Sequence, residues 1–362
     1  MDKIDSRAVT ALDKSGMAGF LEGFPKQIDE AYEIGQKAAF LRGTGRDFDK
    51  IVFTGLGGSA IGADIIRSYA AGECPLPIIV NRDYTLPAFV NRKTLLFVSS
   101  YSGNTEETLS SYVDGREKKA TIVAVTTNGE LIKRAQKDGV PCIVIPQGYP
   151  PRSALGYLSI PVLVLLSRLG FISEKDKDIR EISALLAKMR DTMLSPEISD
   201  EKNQAKRIAQ DLAGKYAVIY GASRHTDCVV ARWRGQIAEN AKALSSSHLF
   251  PEMNHNEIMG WMHPRNVLKD ITALILRDKQ DHPRVSKRMD ITMSIIRKEG
   301  VKVVEVHSLG QSLLARLFSL VYIGDFVSLY LAALNGVDPT PVAVIEGLKA
   351  KLVRKAAAPR AD

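Results

Sequence analysis

The stretch Leu96-Phe97-Val98-Ser99-Ser100-Tyr101-Ser102-Gly103-Asn104-Thr105-Glu106-Glu107-Thr108 decides how the chain is read. Its apolar start belongs to a run over 94–99 that reads as a buried strand, and the pattern over 105–116 reads as a helix. Between them stand three hydroxyls, Ser100, Ser102 and Thr105, beside Gly103 and ahead of the free N–H groups of a helix start. That arrangement forms a neutral nest for a dianionic phosphate. An ordinary N-cap, with Glu106 and Glu107 favouring the helix dipole, would account for one hydroxyl at Ser102 or Thr105, but not for three beside a glycine.

Outward from this stretch the same rhythm repeats. Short apolar runs over 50–54, 77–80, 121–126 and 141–145 read as strands, with helices over 60–71 and 130–138 between them. Near-continuous apolar strands separated by helices indicate a parallel sheet covered on both faces. A charged, strandless segment over 171–213 reads as two exposed helices joining two halves. The alternation then restarts with strands over 216–220, 245–250, 270–276 and 302–307, helices over 227–242 and 285–299, and long helices over 313–334 and 340–356. The expected architecture is α/β, with two doubly wound, flavodoxin-like parallel-sheet domains side by side. Residues 1–170 form the first domain, 171–214 a helical connector and 215–362 the second, with a ligand cleft between the two.

A length of 362 residues suits two such cores, and 45% hydrophobic with 25% charged residues is a globular composition. The net charge of +8 comes from 49 basic and 41 acidic residues without a basic stripe carrying aromatics, which argues against nucleic acid as a partner. Cys74, Cys142 and Cys228 are odd in number and lack metal-ligand spacing, so a reducing compartment is expected. Residues 1–7 have no apolar core of a signal peptide, and the apolar runs over 155–169 and 313–334 are interrupted by Arg168, Arg316 and Asp325. They read as buried helices, not membrane spans, and the expected location is the cytoplasm.

A second loop, Gly55-Leu56-Gly57-Gly58-Ser59-Ala60, follows the first strand and lets backbone approach a ligand closely. As a dinucleotide fingerprint it is weak, because no acid ends the second strand (Ile78-Ile79-Val80-Asn81) in position to hold a ribose.

Gly57-Gly58-Ser59 together with Ser100-Tyr101-Ser102-Gly103-Asn104-Thr105 resembles the sugar isomerase (SIS) domain. Pro150-Pro151-Arg152, Gly235-Gln236-Ile237-Ala238-Glu239-Asn240-Ala241-Lys242, Asn254-His255-Asn256-Glu257, Asp281-His282-Pro283-Arg284-Val285 and Gly336-Val337-Asp338-Pro339-Thr340-Pro341 extend the likeness. Over roughly residues 50–350 the chain is similar to the bifunctional phosphoglucose/phosphomannose isomerase family. The resemblance implies reversible aldose–ketose isomerisation of a hexose 6-phosphate, with no cofactor and no metal. Gly58, Ser59, Ser100, Ser102 and Thr105 would bind the phosphate.

In that chemistry one base moves a proton between C2 and C1 through a cis-enediol, a proton shuttle opens the ring, and a cation steadies the enediolate. The resemblance makes Glu257 the base, flanked by the amides of Asn254 and Asn256, and Arg152 the cation. His282 matches the ring-opening histidine, with His255 as its rival, and Lys349 matches a lysine that assists, with Lys351 close by. Thr340, otherwise the N-cap of the last helix, would leave room at C2 for the mannose epimer. The resemblance also implies a homodimer, with His282 a candidate for donation across the interface. Two other readings remain at this level: an isomerase confined to glucose 6-phosphate, and a sugar-phosphate sensor without chemistry.

Overall fold

The computed structural model describes residue 4 and residues 6–38 and 47–355. Ala356, the expected end of the last helix, lies outside them, as do the first three residues of the N-terminal segment. Helices α1 (Ser6–Leu12), α2 (Met17–Glu22) and α3 (Phe24–Lys37) come first. A first alternation follows: β1 (Lys50–Thr54), α4 (Gly57–Ala70), β2 (Ile78–Asn81), β3 (Thr94–Ser99), α5 (Glu106–Glu117), β4 (Thr121–Thr126), α6 (Gly129–Lys137) and β5 (Cys142–Val144). After α7 (Leu155–Arg168), α8 (Asp176–Met189) and α9 (Gln204–Leu212) comes a second: β6 (Tyr216–Ala222), α10 (Asp227–Asn240), β7 (Ser245–Phe250), α11 (Arg265–Leu268), β8 (Ile271–Arg277), α12 (Pro283–Lys298) and β9 (Lys302–His307). Helices α13 (Leu313–Leu334) and α14 (Ala343–Lys355) end the fold.

The two sheets run β2-β1-β3-β4-β5 and β7-β6-β8-β9, and every pairing is parallel. The second is the first in the same order with one strand fewer. β3 and β4 are buried along their whole length, which is why their sequences are continuously apolar instead of alternating. In each sheet the order reverses beside the first strand, between β1 and β3 and between β6 and β8. Crevices at such switch points, beyond the C-terminal strand ends, are where ligands bind in open α/β sheets.

One apolar core runs through both halves, with contributions from α3, α7, α8, α9, α10 and α13 as well as from both sheets. α13 is its axis. Among the described residues it is the one helix long and apolar enough to cross a membrane, yet 89% of that window is buried inside the protein. Its two charged residues are paired: Arg316 Nε donates to Asp278 Oδ2 at 2.8 Å, and Asp325 accepts from Arg232 at 2.7 and 3.0 Å.

Four expectations are corrected. The helices over 171–213 are not exposed: α8 buries Ile179, Ile182, Leu186 and Met189, and α9 buries Ala205, Ile208, Ala209 and Leu212, each as one helical stripe. Most of their charges occupy the outer face; Lys206 is buried and donates to the Pro196 and Ile198 carbonyls at 2.9 Å. α4 begins at Gly57, so Gly57, Gly58 and Ser59 form its first turn and not a loop before it. Residues 261–268, which the sequence reads as a loop between Glu257 and His282, are largely helical, with the end of a short helical stretch at Glu257–Met262 followed by α11. The last helix starts at Ala343, so Thr340 is not its N-cap.

Candidate active site

The first switch point brings both sequence motifs together. The loop after β1 presses on the end of β3, since a Cβ at Gly55 would lie 2.6 Å from the Ser99 carbonyl and 3.1 Å from the Ser59 Cβ. Helix α5 starts at Glu106 with Thr105 in the N-cap position, but the Thr105 side chain makes no capping bond. Its Oγ1 lies 2.9 Å from Ser100 Oγ instead. Ser102 Oγ accepts from the Asn104 N–H at 3.3 Å. Two more hydroxyls at this end, Ser99 Oγ and Thr108 Oγ1, are buried without a hydrogen-bond partner. The early N–H groups of α5 and this surplus of hydroxyls can serve an anion.

The loop is rigidly built. Gly103, at φ +68°, lies so close to the next turn that a Cβ would sit 1.8 Å from the Asn128 carbonyl. Asn104 Oδ1 accepts from the Glu130 N–H at 2.9 Å, and the Leu131 N–H donates to the Gly103 carbonyl at 2.9 Å. Tyr101 points the other way, into the core, and donates its hydroxyl to the Pro146 carbonyl at 3.0 Å.

Arg152 stands on a short helical turn, Pro151–Ser153, that packs against the first turn of α4. A Cβ at Gly58 would fall 2.6 Å from the Pro151 carbonyl, so that position demands glycine. The guanidinium is buried. Nη2 donates to the Pro339 and Thr340 carbonyls, both at 2.8 Å, and Nε donates to Asn240 Oδ1 at 2.5 Å. Nη1 has the loosest bond, 3.4 Å to Glu239 Oε2. Burial holds the Arg152 pKa below the ordinary guanidinium value; Glu239 opposes this and Arg232 adds to it. Thr340 is therefore beside Arg152, and its own Oγ1 is buried with no partner. A cleft of about 500 Å³ opens here between α4 and α10, lined by Gly57, Gly58, Arg152, Arg232, Gln236 and Glu239 among others.

Glu257 lies outside the lining of this cleft, in the turn that follows β7. It is half-buried, its backbone N–H donates to Asn256 Oδ1 at 2.6 Å, and its Oε1 accepts a hydrogen bond from the Tyr220 hydroxyl. The two amides named in the sequence do not hold its carboxylate: Asn254 donates to Thr292 Oγ1 at 2.9 Å and Asn256 to Glu252 Oε1 at 3.0 Å.

His282, exposed, is the N-cap of α12, with Nδ1 accepting from the Arg284 N–H at 3.1 Å. It follows β8 at the second switch point, apart from the cleft lining. His255 is exposed in the turn before Glu257. Lys349 and Lys351 are exposed on α14, every residue of which is exposed over 343–352. Within one chain, then, Gly58, Ser59, Ser100, Ser102 and Thr105 stand on adjoining elements at the first switch point, with Arg152 packed against α4 and Thr340 beside Arg152. Of these seven, Gly58 and Arg152 line the cleft, and Glu257, His282 and Lys349 stand on separate elements. Among the described residues no group of three His, Cys, Asp or Glu side chains could hold a metal ion.

Sequence reading missed three partners. Glu239 and Asn240 hold Arg152, and Lys242 Nζ donates to the same Pro339 carbonyl at 3.1 Å. All three lie in the segment Gly235–Lys242 that carried the family likeness, which was their available signal. Tyr220 was the other omission; an aromatic among aliphatics near the end of a central strand was its trace.

Residues 201–352 match the family described as the bacterial phospho-glucose isomerase C-terminal SIS domain. A bifunctional phosphoglucose/phosphomannose isomerase of Caldicellulosiruptor bescii is 48% identical over 328 residues, covering 91% of this chain and 96% of the relative. Its counterpart from Aquifex aeolicus is 38% identical over 311 residues, covering 84% and 91%. Among solved structures, a glucose-6-phosphate isomerase like protein from Thermus thermophilus shares the fold at a TM-score of 0.63 and 19% identity, over 95% of this chain and 100% of that one.

Proposed function

The chain belongs to the bifunctional phosphoglucose/phosphomannose isomerase family, and from that premise we propose that it interconverts glucose 6-phosphate and mannose 6-phosphate with fructose 6-phosphate through a cis-enediol, without a metal ion. The observation that carries this reading is the convergence at one switch point of the Ser100–Thr105 hydroxyl pair, the first turn of α4 and the buried Arg152. The first half, 1–170, holds the phosphate through Gly58, Ser59, Ser100, Ser102 and Thr105. The second half, 215–362, joined to it by 171–214, supplies Glu257, His282 and Lys349 for chemistry, and Arg152 joins them from the first.

With the phosphate fixed, the sugar ring opens by proton transfer through His282, assisted by Lys349. Glu257 then takes the C2 proton as a general base. Electrons move from the C2–H bond into a C1–C2 double bond while the C1 carbonyl pair moves onto O1, which gains a proton to give the enediol. O2 then gives up its proton as its electrons form the C2 carbonyl and C1 takes back the proton held by Glu257, so that the net transfer is one hydrogen from C2 to C1 and one proton from O2 to O1. Negative charge developing on the oxygens is met by Arg152 Nη1, a donor already held in place by its neighbours. Beside that cation, the small Thr340 leaves space for either configuration at C2.

The separation of Glu257, His282 and Lys349 from the cleft in one chain supports a homodimer in which a second copy completes each site. Exposed apolar residues add to this support: Leu244 is 82% exposed and Val344 89%, and Leu348 and Leu352 also face outward. Three free cysteines fit an enzyme of the reducing cytoplasm.

The test is fructose 6-phosphate formation from each aldose phosphate, with EDTA present, by the wild type and by Glu257→Gln. Activity on both sugars that survives EDTA and disappears in the variant is expected. Loss in EDTA would overturn the metal-free step. Turnover of glucose 6-phosphate alone would narrow the substrate range, and binding without turnover would identify a sensor.

A further inference from the structure

Glu257 makes no ion pair among the described residues, and the Tyr220 hydroxyl is the one side-chain donor its carboxylate has there. Tyr220 is fully buried near the end of β6, a central strand, with its ring fixed edge-on by Phe250 at 5.8 Å and by Trp261 at 6.4 Å between centroids. Trp261 lies one helical turn after Glu257, and its indole N–H is buried without a partner. A rigid strand phenol therefore reaches across to a carboxylate carried on a short, irregular turn. With the Trp261 indole, the Tyr220 hydroxyl brings a polar side-chain atom to this end of the second core.

We propose that Tyr220 is the positioning residue of the general base: its hydroxyl locks the Glu257 carboxylate in one orientation and favours the charged form that accepts the C2 proton. The proposal rests on the assignment of Glu257 as base. A hydrogen bond to the charged form is stronger than one between neutral groups, and its geometry is set by the sheet and not by the turn. The phenol stays a donor throughout the working range. Burial pushes its pKa well above the ordinary value, the Glu257 carboxylate raises it further, and Trp261 opposes the rise.

The experiment compares wild type, Glu257→Gln and Tyr220→Phe in full pH profiles of kcat and KM for fructose 6-phosphate. For Tyr220→Phe, kcat is expected to fall about ten- to hundredfold with KM changed less than about twofold. The acid limb of kcat/KM should move about one pH unit upward, because the lost bond favoured the charged base. In place of a variant that fails to fold, 3,5-difluorotyrosine at position 220 keeps the shape with a more acidic phenol, and should move the same limb downward. An inactive Glu257→Gln alongside a Tyr220→Phe enzyme with unchanged kcat and acid limb would overturn this proposal alone. An immobile limb in the fluorinated enzyme would do the same. An active Glu257→Gln would overturn the base assignment and this inference with it.

Discussion

The two switch points occupy the same place in the same topology, yet one gathers hydroxyls and the other is filled by the protein's own charges. At the end of β3 stand hydroxyls, the partnerless Ser99 on the strand, then Ser100 with Thr105 and exposed Ser102, ahead of a helix whose N-terminus has no side-chain cap and whose first turn carries the partnerless Thr108. The corresponding loop after β8 carries Asp278 and Asp281. Asp278 Oδ2 accepts from buried Arg316 at 2.8 Å and from Ser308 Oγ at 2.8 Å, Asp281 Oδ2 accepts from the Asp278 N–H at 2.9 Å, and His282 caps α12. The helices after the first strands differ in the same way. α4 starts on Gly57 and Gly58, whereas α10 starts on Asp227, whose carboxylate accepts from Ser68 Oγ at 2.7 Å and also pairs with Arg67. A phosphate entering the second crevice would meet carboxylates already using the local donors. Duplicated architecture thus does not give duplicated surroundings: on the proposed reading the first half is left free to hold substrate, and the second spends its polar groups on holding itself and on presenting Glu257 and His282.

That division makes separable predictions. Glu257→Gln should show the largest effect, a fall in kcat of about 10³- to 10⁴-fold with KM near wild type, by steady-state kinetics in either direction. Next, Asp278→Ala leaves the Arg316 guanidinium buried without its carboxylate. Urea unfolding should register a loss of about 3–5 kcal/mol, showing that this crevice is structural. In the first crevice, the double change Ser100→Ala with Thr105→Ala removes donors to a dianion worth about 1.5–3 kcal/mol together. It should raise KM for fructose 6-phosphate about ten- to hundredfold with a smaller change in kcat, whereas Ser308→Ala should leave KM within about twofold.

The smallest effect concerns pH. Burial raises the Asp281 pKa to about 6, with Asp278 adding to the rise and the Asp278 N–H opposing it. A carboxyl whose folded pKa lies above its unfolded value loses its proton first in the unfolded state. Its contribution to stability therefore falls as pH climbs from about 4 to about 6 and stays low above that. Asp281→Asn mimics the protonated form. It should stabilise the protein by about 1–2 kcal/mol at pH 8 and by little at pH 4, read from Tm at both. An equal shift at both pH values would contradict the assignment.

The strands and their parallel arrangement were legible because buried parallel strands leave continuous apolar runs, as at Thr94–Ser99 and Thr121–Thr126. The hydroxyl-bearing strand-to-helix loop was legible because Ser100, Ser102 and Thr105 lie within six consecutive residues. The exposed reading of α8 and α9 failed because a charge-rich composition hid a narrow apolar stripe facing α3 and α13. The start of α4 was misplaced because two glycines read as a turn, while in the fold they allow the Pro151 carbonyl to approach. Partners far apart in sequence left no local pattern. Arg152 meets Thr340 across 188 residues and Tyr220 meets Glu257 across 37; the family likeness named Arg152, Thr340 and Glu257 singly, but no local pattern showed either contact or pointed to Tyr220.

The measurement that tests the division most directly is calorimetric titration of fructose 6-phosphate into Glu257→Gln, repeated in the same protein with Ser100→Ala and Thr105→Ala added. The expected result is binding by the first protein, close to the wild-type KM and without turnover, and a weakening of about ten- to hundredfold in the second. Equal affinity in the two proteins would contradict the assignment of the phosphate to the first switch point.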